Sequence, residues 1–184
     1  MPKQKIGLYL GAEPNGGGTF QYNQAVLEAI ACLPSAHYET VVAYSSDTWV
    51  KYLAPFSLKT IYNPRPIISR VISFLCRNLR VPLPLWRGIH SSIDPFARRL
   101  VNESCDLWIF PSQDLFSYTI DVPSLGTIHD LMHRYERQFE ELSANGEYEA
   151  REFHYKNMVG KAKGVLVDSN IGKEQAVESY GVVE

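Results

Sequence analysis

The 184-residue chain lacks the marks of several protein classes. It has no surplus of one charge: 18 Lys and Arg stand against 20 Asp and Glu, a net −2, which excludes a protein that coats nucleic acid generally. No stretch approaches the roughly 18 uninterrupted apolar residues of a membrane-spanning helix. Residues 1–5 run straight into an apolar strand without a signal-peptide core, which predicts a cytoplasmic protein. Cysteine is scarce, and Cys32, Cys76 and Cys105 form no C-x-x-C pair. Three thiols cannot all pair, so buried free cysteines in a reducing compartment are expected. Repeats and low-complexity tracts are missing too. What remains is 45% apolar and 12% aromatic residues, sufficient for the core of one globular domain over 1–184.

Residues 5–10 form a short apolar run, followed by the glycine-rich stretch 11–18 and by Thr19, a candidate helix N-cap. Apolar positions then recur at Tyr22, Ala25, Val26, Ala29, Ile30 and Leu33, a helical spacing. Further strands are predicted over 39–43, 59–62, 106–110, 123–128 and 164–167, with turns or helical patterns between them. After the last, Asp168-Ser169-Asn170 leads into a helix carrying Ile171, Gln175, Val177 and Tyr180. Short strands alternating with helices predict a three-layer α/β domain with a mainly parallel sheet.

Asn15-Gly16-Gly17-Gly18-Thr19 lies between the first strand and the first helix. Glycines there let backbone approach a phosphate, and helix N-terminal amides favour an anion; a flexible turn is the competing reading. The dinucleotide fingerprint is absent, because its third glycine would fall on Gln21. Thr127-Ile128-His129-Asp130-Leu131-Met132-His133 ends a strand at the carboxyl edge of the sheet, where open α/β sheets bind ligands. His129 reads either as a functional group or as a hydrogen-bonded strand-end histidine, and His133 as a solvated loop histidine. No third ligand stands at metal-site spacing. Ser112 and Ser169 also end strands and would face the same crevice, Ser169 alternatively serving as a helix N-cap.

Charge is unevenly placed. Residues 59–100 hold eight Lys and Arg against the single acid Asp94, a net +7, leaving −9 for the rest. Within 67–79 the positions Ile67, Ile68, Val71, Ile72, Leu75 and Leu79 fall on one side of a helix, with Arg70, Arg77 and Arg80 opposite. Such a helix can lie on an anionic membrane or, as an ordinary element, spend its apolar side on the sheet. The prolines of 81–86 predict a loop packed over the sheet edge.

Taken in order, these motifs resemble the N-terminal, acceptor-side domain of the group 1 retaining glycosyltransferases, whose two Rossmann-like domains face each other across a cleft (the GT-B architecture). The resemblance rests on Gly16-Gly17-Gly18-Thr19-Phe20-Gln21, on Asp106-Leu-Trp-Ile-Phe-Pro-Ser112 and on Thr127-Ile-His-Asp-Leu-Met-His133. It continues through Tyr148, Arg151, the helix from Tyr155 and Gly164-Val-Leu-Val-Asp-Ser-Asn170 to Lys173 and Tyr180-Gly181-Val182. It implies that Gly16, Gly17, Gly18 and Thr19 look toward the donor phosphate and the acceptor, and that His129 hydrogen-bonds the donor sugar. Ser112, Asp130, Ser169 and Lys173 are then candidate cleft residues; Arg70, Arg77 and Arg80 are candidate membrane-facing residues on the charge and helical pattern of their own segment, apart from the resemblance. Also implied are a nucleotide-sugar donor, a glycan or lipid-linked acceptor, retention and no bound metal or other cofactor; the start of the chain and the basic segment, apart from the resemblance, predict a cytoplasmic location peripheral to the inner membrane face. The proline usual after the H-D pair is replaced by Tyr135-Glu136, and 44–99 matches no family motif. The family's nucleotide-sugar-binding C-terminal domain would begin after 184, so this chain alone is expected to be inactive. A stand-alone, non-enzymatic Rossmann-like module for a phosphorylated or sugar ligand is the alternative.

Overall fold

A computed structural model describes residues 2–136, 138–139 and 144–182. Six strands form one all-parallel sheet: β1 (Gln4–Leu10), β2 (Tyr38–Tyr44), β3 (Lys59–Tyr62), β4 (Leu107–Ile109), β5 (Ser124–Ile128) and β6 (Gly164–Val167), in the spatial order β3-β2-β1-β4-β5-β6. The helices are α1 (Gly18–Ala31), α2 (Val50–Leu53), α3 (Ile67–Asn78), α4 (Leu83–Ile93) and α5 (Pro95–Asn102). They continue with α6 (Phe116–Thr119), α7 (Met132–Tyr135), α8 (Glu147–Lys161) and α9 (Asn170–Tyr180). The expected three-layer α/β architecture is present. None of these helices is long and apolar enough to cross a membrane.

Period-two alternation builds the two cores. Leu8, Leu10, Val42 and Ile109 point to one face of the sheet and meet Phe20, Leu27 and Ile30 of α1 together with Trp49. Tyr9, Val41, Ala43, Trp108 and Phe110 point to the other and meet Phe96 and Leu100 of α5 and Phe116 of α6. A third cluster of Ile128, Leu131, Tyr155, Met158 and Ala176 seats α8 and α9. Gly7 is required by this packing, since a Cβ there would run into the Trp108 indole ring of the neighbouring strand. The chain reverses its direction of travel across the sheet between β1 and β4, so a crevice opens outside the carboxyl ends of those two strands.

Several local expectations need correcting. Thr19 lies inside the first turn of α1, and Gly17, at φ +56°, is the N-cap. The buried face of α1 is Phe20, Asn23, Leu27 and Ile30, while Ala25 and Ala29 are exposed. Residues 81–86 are not a loop: Pro82 caps α4 and Pro84 sits in its first turn, where a missing N–H costs nothing. All three cysteines are free, but Cys32 is exposed rather than buried.

The largest correction concerns α3, whose inward face is Ser69, Ser73 and Cys76. Its apolar residues point out: Ile67 is 78% exposed, Phe74 58%, and Ile68, Val71 and Leu75 are about half exposed, with Leu79 at 72%. The reason lies beneath the helix, in a buried polar ledge. Ser69 donates to Asp94 Oδ1, which also caps α5 by accepting from Phe96 N (2.9 Å) and Ala97 N (3.4 Å). Arg65 donates to Ser73 Oγ at 2.9 Å. His90 Nε2 accepts from Trp86 Nε1 at 2.8 Å, and burial lowers the pKa of this imidazole to about 4, so it stays neutral. Buried donors and acceptors need partners, so α3 presents its serines to the ledge and its apolar stripe to the outside.

Candidate functional site

The register of β5 on β6 sets Ile128 beside Val167, which brings the next residues, His129 and Asp168, side by side at the carboxyl edge. His129 Nδ1 lies 3.1 Å from Asp168 Oδ2. A carboxylate at that distance accepts the Nδ1–H and fixes the tautomer, leaving Nε2 for a ligand. The ring is also held edge-on by Tyr22 of α1, at a centroid separation of 5.0 Å and 88°. Nε2 is shielded from solvent and has no hydrogen-bond partner among the described residues. Such an imidazole can accept a proton from a ligand hydroxyl or, once charged, stabilise a developing oxyanion. It lines a hollow of about 130 Å³ together with Asp130, Leu131, Ser169 and Gly172.

The other predicted residues divide into those facing ligand space and those holding the frame. Gly16, Gly17 and Gly18 are exposed at the start of α1, and a Cβ at any of them would meet nothing within 4 Å. Among the described residues no side chain caps this helix, so its first amides are left to solvent or an anion. Only Gly17 needs glycine for its backbone, because an L side chain at φ +56° is strained. Thr19 is half-buried in the first turn.

Ser112 is buried, and its hydroxyl exchanges hydrogen bonds with the Asn23 amide (3.1 and 3.2 Å), locking α1 to the end of β4. Asp130 Oδ1 accepts from Met132 N (3.1 Å) and Arg151 (3.2 Å), so it starts α7 and anchors α8. Ser169 caps α9 by accepting from Gly172 N at 3.0 Å, the alternative foreseen for it. Lys173 lies on α9 along a shallow depression with Asn170, Glu174 and Val177, apart from the lining of the His129 hollow.

His133 is not a solvated loop histidine. It is 1% exposed, stacks on Tyr155, and its Nε2 lies 2.8 Å from Glu152 Oε1. Glu152 also accepts from Arg134 Nε (2.6 Å) and from Tyr180 (3.0 Å). The Arg134 hydrogen bonds bring the Glu152 carboxyl down to about 2, so the hub that ties α7, α8 and α9 is ionic. His129 and His133 thus engage different carboxylates. Among the described residues, no group of three or more His, Cys, Asp or Glu is arranged to hold a metal ion.

Asp168, Tyr22 and the Glu152 hub escaped the sequence reading. Asp168 had a signal, since it follows its strand at the position that His129 holds after β5; only the adjacency of β5 and β6 was missing. No protein-family model matches this chain, and no curated protein matches it in sequence.

Proposed function

We propose that the chain is the acceptor-side domain of a retaining glycosyltransferase, transferring a sugar from a nucleotide-sugar to a glycan or lipid-linked glycan. The observation that carries the reading is His129, oriented by Asp168 and Tyr22, with an unpartnered Nε2 at the carboxyl edge of a parallel sheet. The uncapped N-terminus of α1, open at three glycines, stands after the first strand, where a diphosphate would be met. A second domain would supply the remaining contacts to the donor, since positioning and electrostatics for such a transfer come from both sides of a cleft.

Membrane contact belongs to the same proposal. The outward stripe of α3 is apolar, and Arg70, Arg77 and Arg80 are exposed beside it. Arg80 holds a positive φ of 51°, a conformation that glycine or asparagine adopts at lower cost. An apolar stripe edged with arginines matches an anionic lipid surface, where each basic side chain contributes about 1 kcal/mol.

The test is His129→Ala in the two-domain protein, with nucleotide-sugar turnover and circular dichroism as readouts. We expect turnover to fall at least tenfold, about 1.4 kcal/mol of transition-state stabilisation, with the fold retained and with wild-type transfer unaffected by chelators. Unchanged turnover in a folded variant returns His129 to a strand-end hydrogen bond. Binding of a sugar phosphate by the chain, with no transfer in any longer form, favours the stand-alone binding module.

A further inference from the structure

Beside the crevice, between α3, the start of α6 and α8, lies a pocket of about 350 Å³ that this reading does not use. Its lining is of two kinds. Three guanidiniums reach it: Arg70 and Arg77, exposed on α3, and half-buried Arg65. Arg65 lies over the Phe116 ring (4.9 Å) and gives one N–H to Ser73, while its Nε is buried without a partner among the described residues. The remaining wall is largely aromatic. Exposed Phe153 and Phe74 form its accessible aromatic surface, with Trp86 (1% exposed), stacked on Phe153 at 6.4 Å and 20°, and Tyr118 (3%) behind them.

Among the described residues the lining holds one carboxylate, Asp114, which offsets at most one of these three charges. It sits against Gly11 at the end of β1, its Oδ2 buried without a partner among the described residues, and burial pushes its carboxyl up to about 7 despite the pull of Arg65. Among the described residues His154 is the only other titratable group of the lining besides Tyr118 and the arginines, and burial, which lowers it to about 4, holds it neutral. Glu147 and Glu149 border the neighbouring depression beyond Arg77, outside the pocket itself.

Three guanidiniums around one small volume exceed what a single carboxylate ligand can satisfy. A phosphate ester offers more charge and three acceptor oxygens to their paired donors. The volume falls within the ~300–1,000 Å³ of small-ligand sites, and the stacked rings suit an apolar or planar group attached to the phosphate. We propose that this pocket binds a phosphate ester carried on an apolar or aromatic body, Arg65, Arg70 and Arg77 holding the phosphate and Phe153 and Phe74 the body. The proposal stands on the pocket alone and does not require glycosyl transfer. Because Phe74, Arg70 and Arg77 also edge the outward stripe of α3, the ester can arrive from a lipid surface or from solution.

Calorimetric titration of the chain with octyl phosphate below its micelle concentration, inorganic phosphate and octyl glucoside tests this. Octyl phosphate should bind at one saturable site, at least tenfold more tightly than inorganic phosphate, and octyl glucoside should show no saturable binding. Arg70→Gln with Arg77→Gln, and separately Phe153→Ala, should each weaken octyl phosphate tenfold or more. Val50→Ser, exposed on α2 away from the pocket, should leave it unchanged. The source follows from vesicles containing phosphatidic acid: if Phe153→Ala weakens their binding equally, the ester comes from the membrane, and if only octyl phosphate is affected, from solution. Equal affinity for octyl phosphate and octyl glucoside, or affinity indifferent to both pocket variants, overturns the proposal.

Discussion

Helices α1 and α3 are both amphipathic and both follow a strand, yet they dock in opposite senses. Helix α1 buries Phe20, Leu27 and Ile30 against the sheet, with Asn23 satisfied by Ser112. Helix α3 buries two serines and a cysteine and turns Ile67, Val71, Phe74 and Leu75 outward. The lesson is that amphipathicity fixes how a helix divides its residues and not which division faces in. What decides is the surface beneath: leucines, valine and isoleucine on the sheet under α1, but Asp94, Arg65 and His90 under α3. A helix over buried polar groups turns its polar residues to them, Ser69 pairing Asp94 Oδ1 and Ser73 pairing Arg65, because each unpaired group costs about 1–3 kcal/mol.

The comparison breaks most visibly under matched truncations. Leu27→Ala should cost about 2–5 kcal/mol in chemical denaturation, as expected of a core leucine, whereas Leu75→Ala should cost under about 0.5. Equal losses would mean that α3 packs through its apolar side.

A smaller effect, up to about 3 kcal/mol, is expected from pH. Burial holds the His90 pKa near 4, below its unfolded value near 6.5. The stabilisation from keeping it neutral is therefore complete above pH 6.5 and is lost as pH falls toward 4, where the unfolded chain takes up a proton that the fold refuses. Hydrogen exchange should show α3 and α4 losing protection between pH 7 and 4.5 before α1, whose buried face carries no titratable group. Uniform loss across both helices would contradict the ledge as the anchor of α3.

The smallest effect sharpens the functional side of the contrast. Arg80→Gly relieves a left-handed backbone and should raise stability by up to about 1 kcal/mol in thermal unfolding. A loss of stability would show that Arg80 holds the fold and is not kept for an outside contact.

Much of the fold was legible because strands announce themselves locally. Runs at 59–62 and 164–167 match β3 and β6 in full, and the others lie within a residue or two. The division of α3 was legible as well, but its direction was not, since Asp94 and Arg65 reach their serines from 25 and 8 residues away. Likewise His129 could be placed at a strand end, while its tie to Asp168, 39 residues on, needed the strand order. Prolines misled at 81–86 because the residue type that breaks a helix interior also opens one. His133 misled because its partner Glu152 lies on another helix.

Co-sedimentation with lipid vesicles tests the outward face of α3 most directly. The account predicts binding that needs anionic lipid, weakens at high salt, and falls when Arg70, Arg77 and Arg80 become Gln or when Ile68 and Leu75 become Ser, with the sheet intact. A chain that ignores anionic vesicles at low salt, or binds them equally with both sets of substitutions, contradicts it.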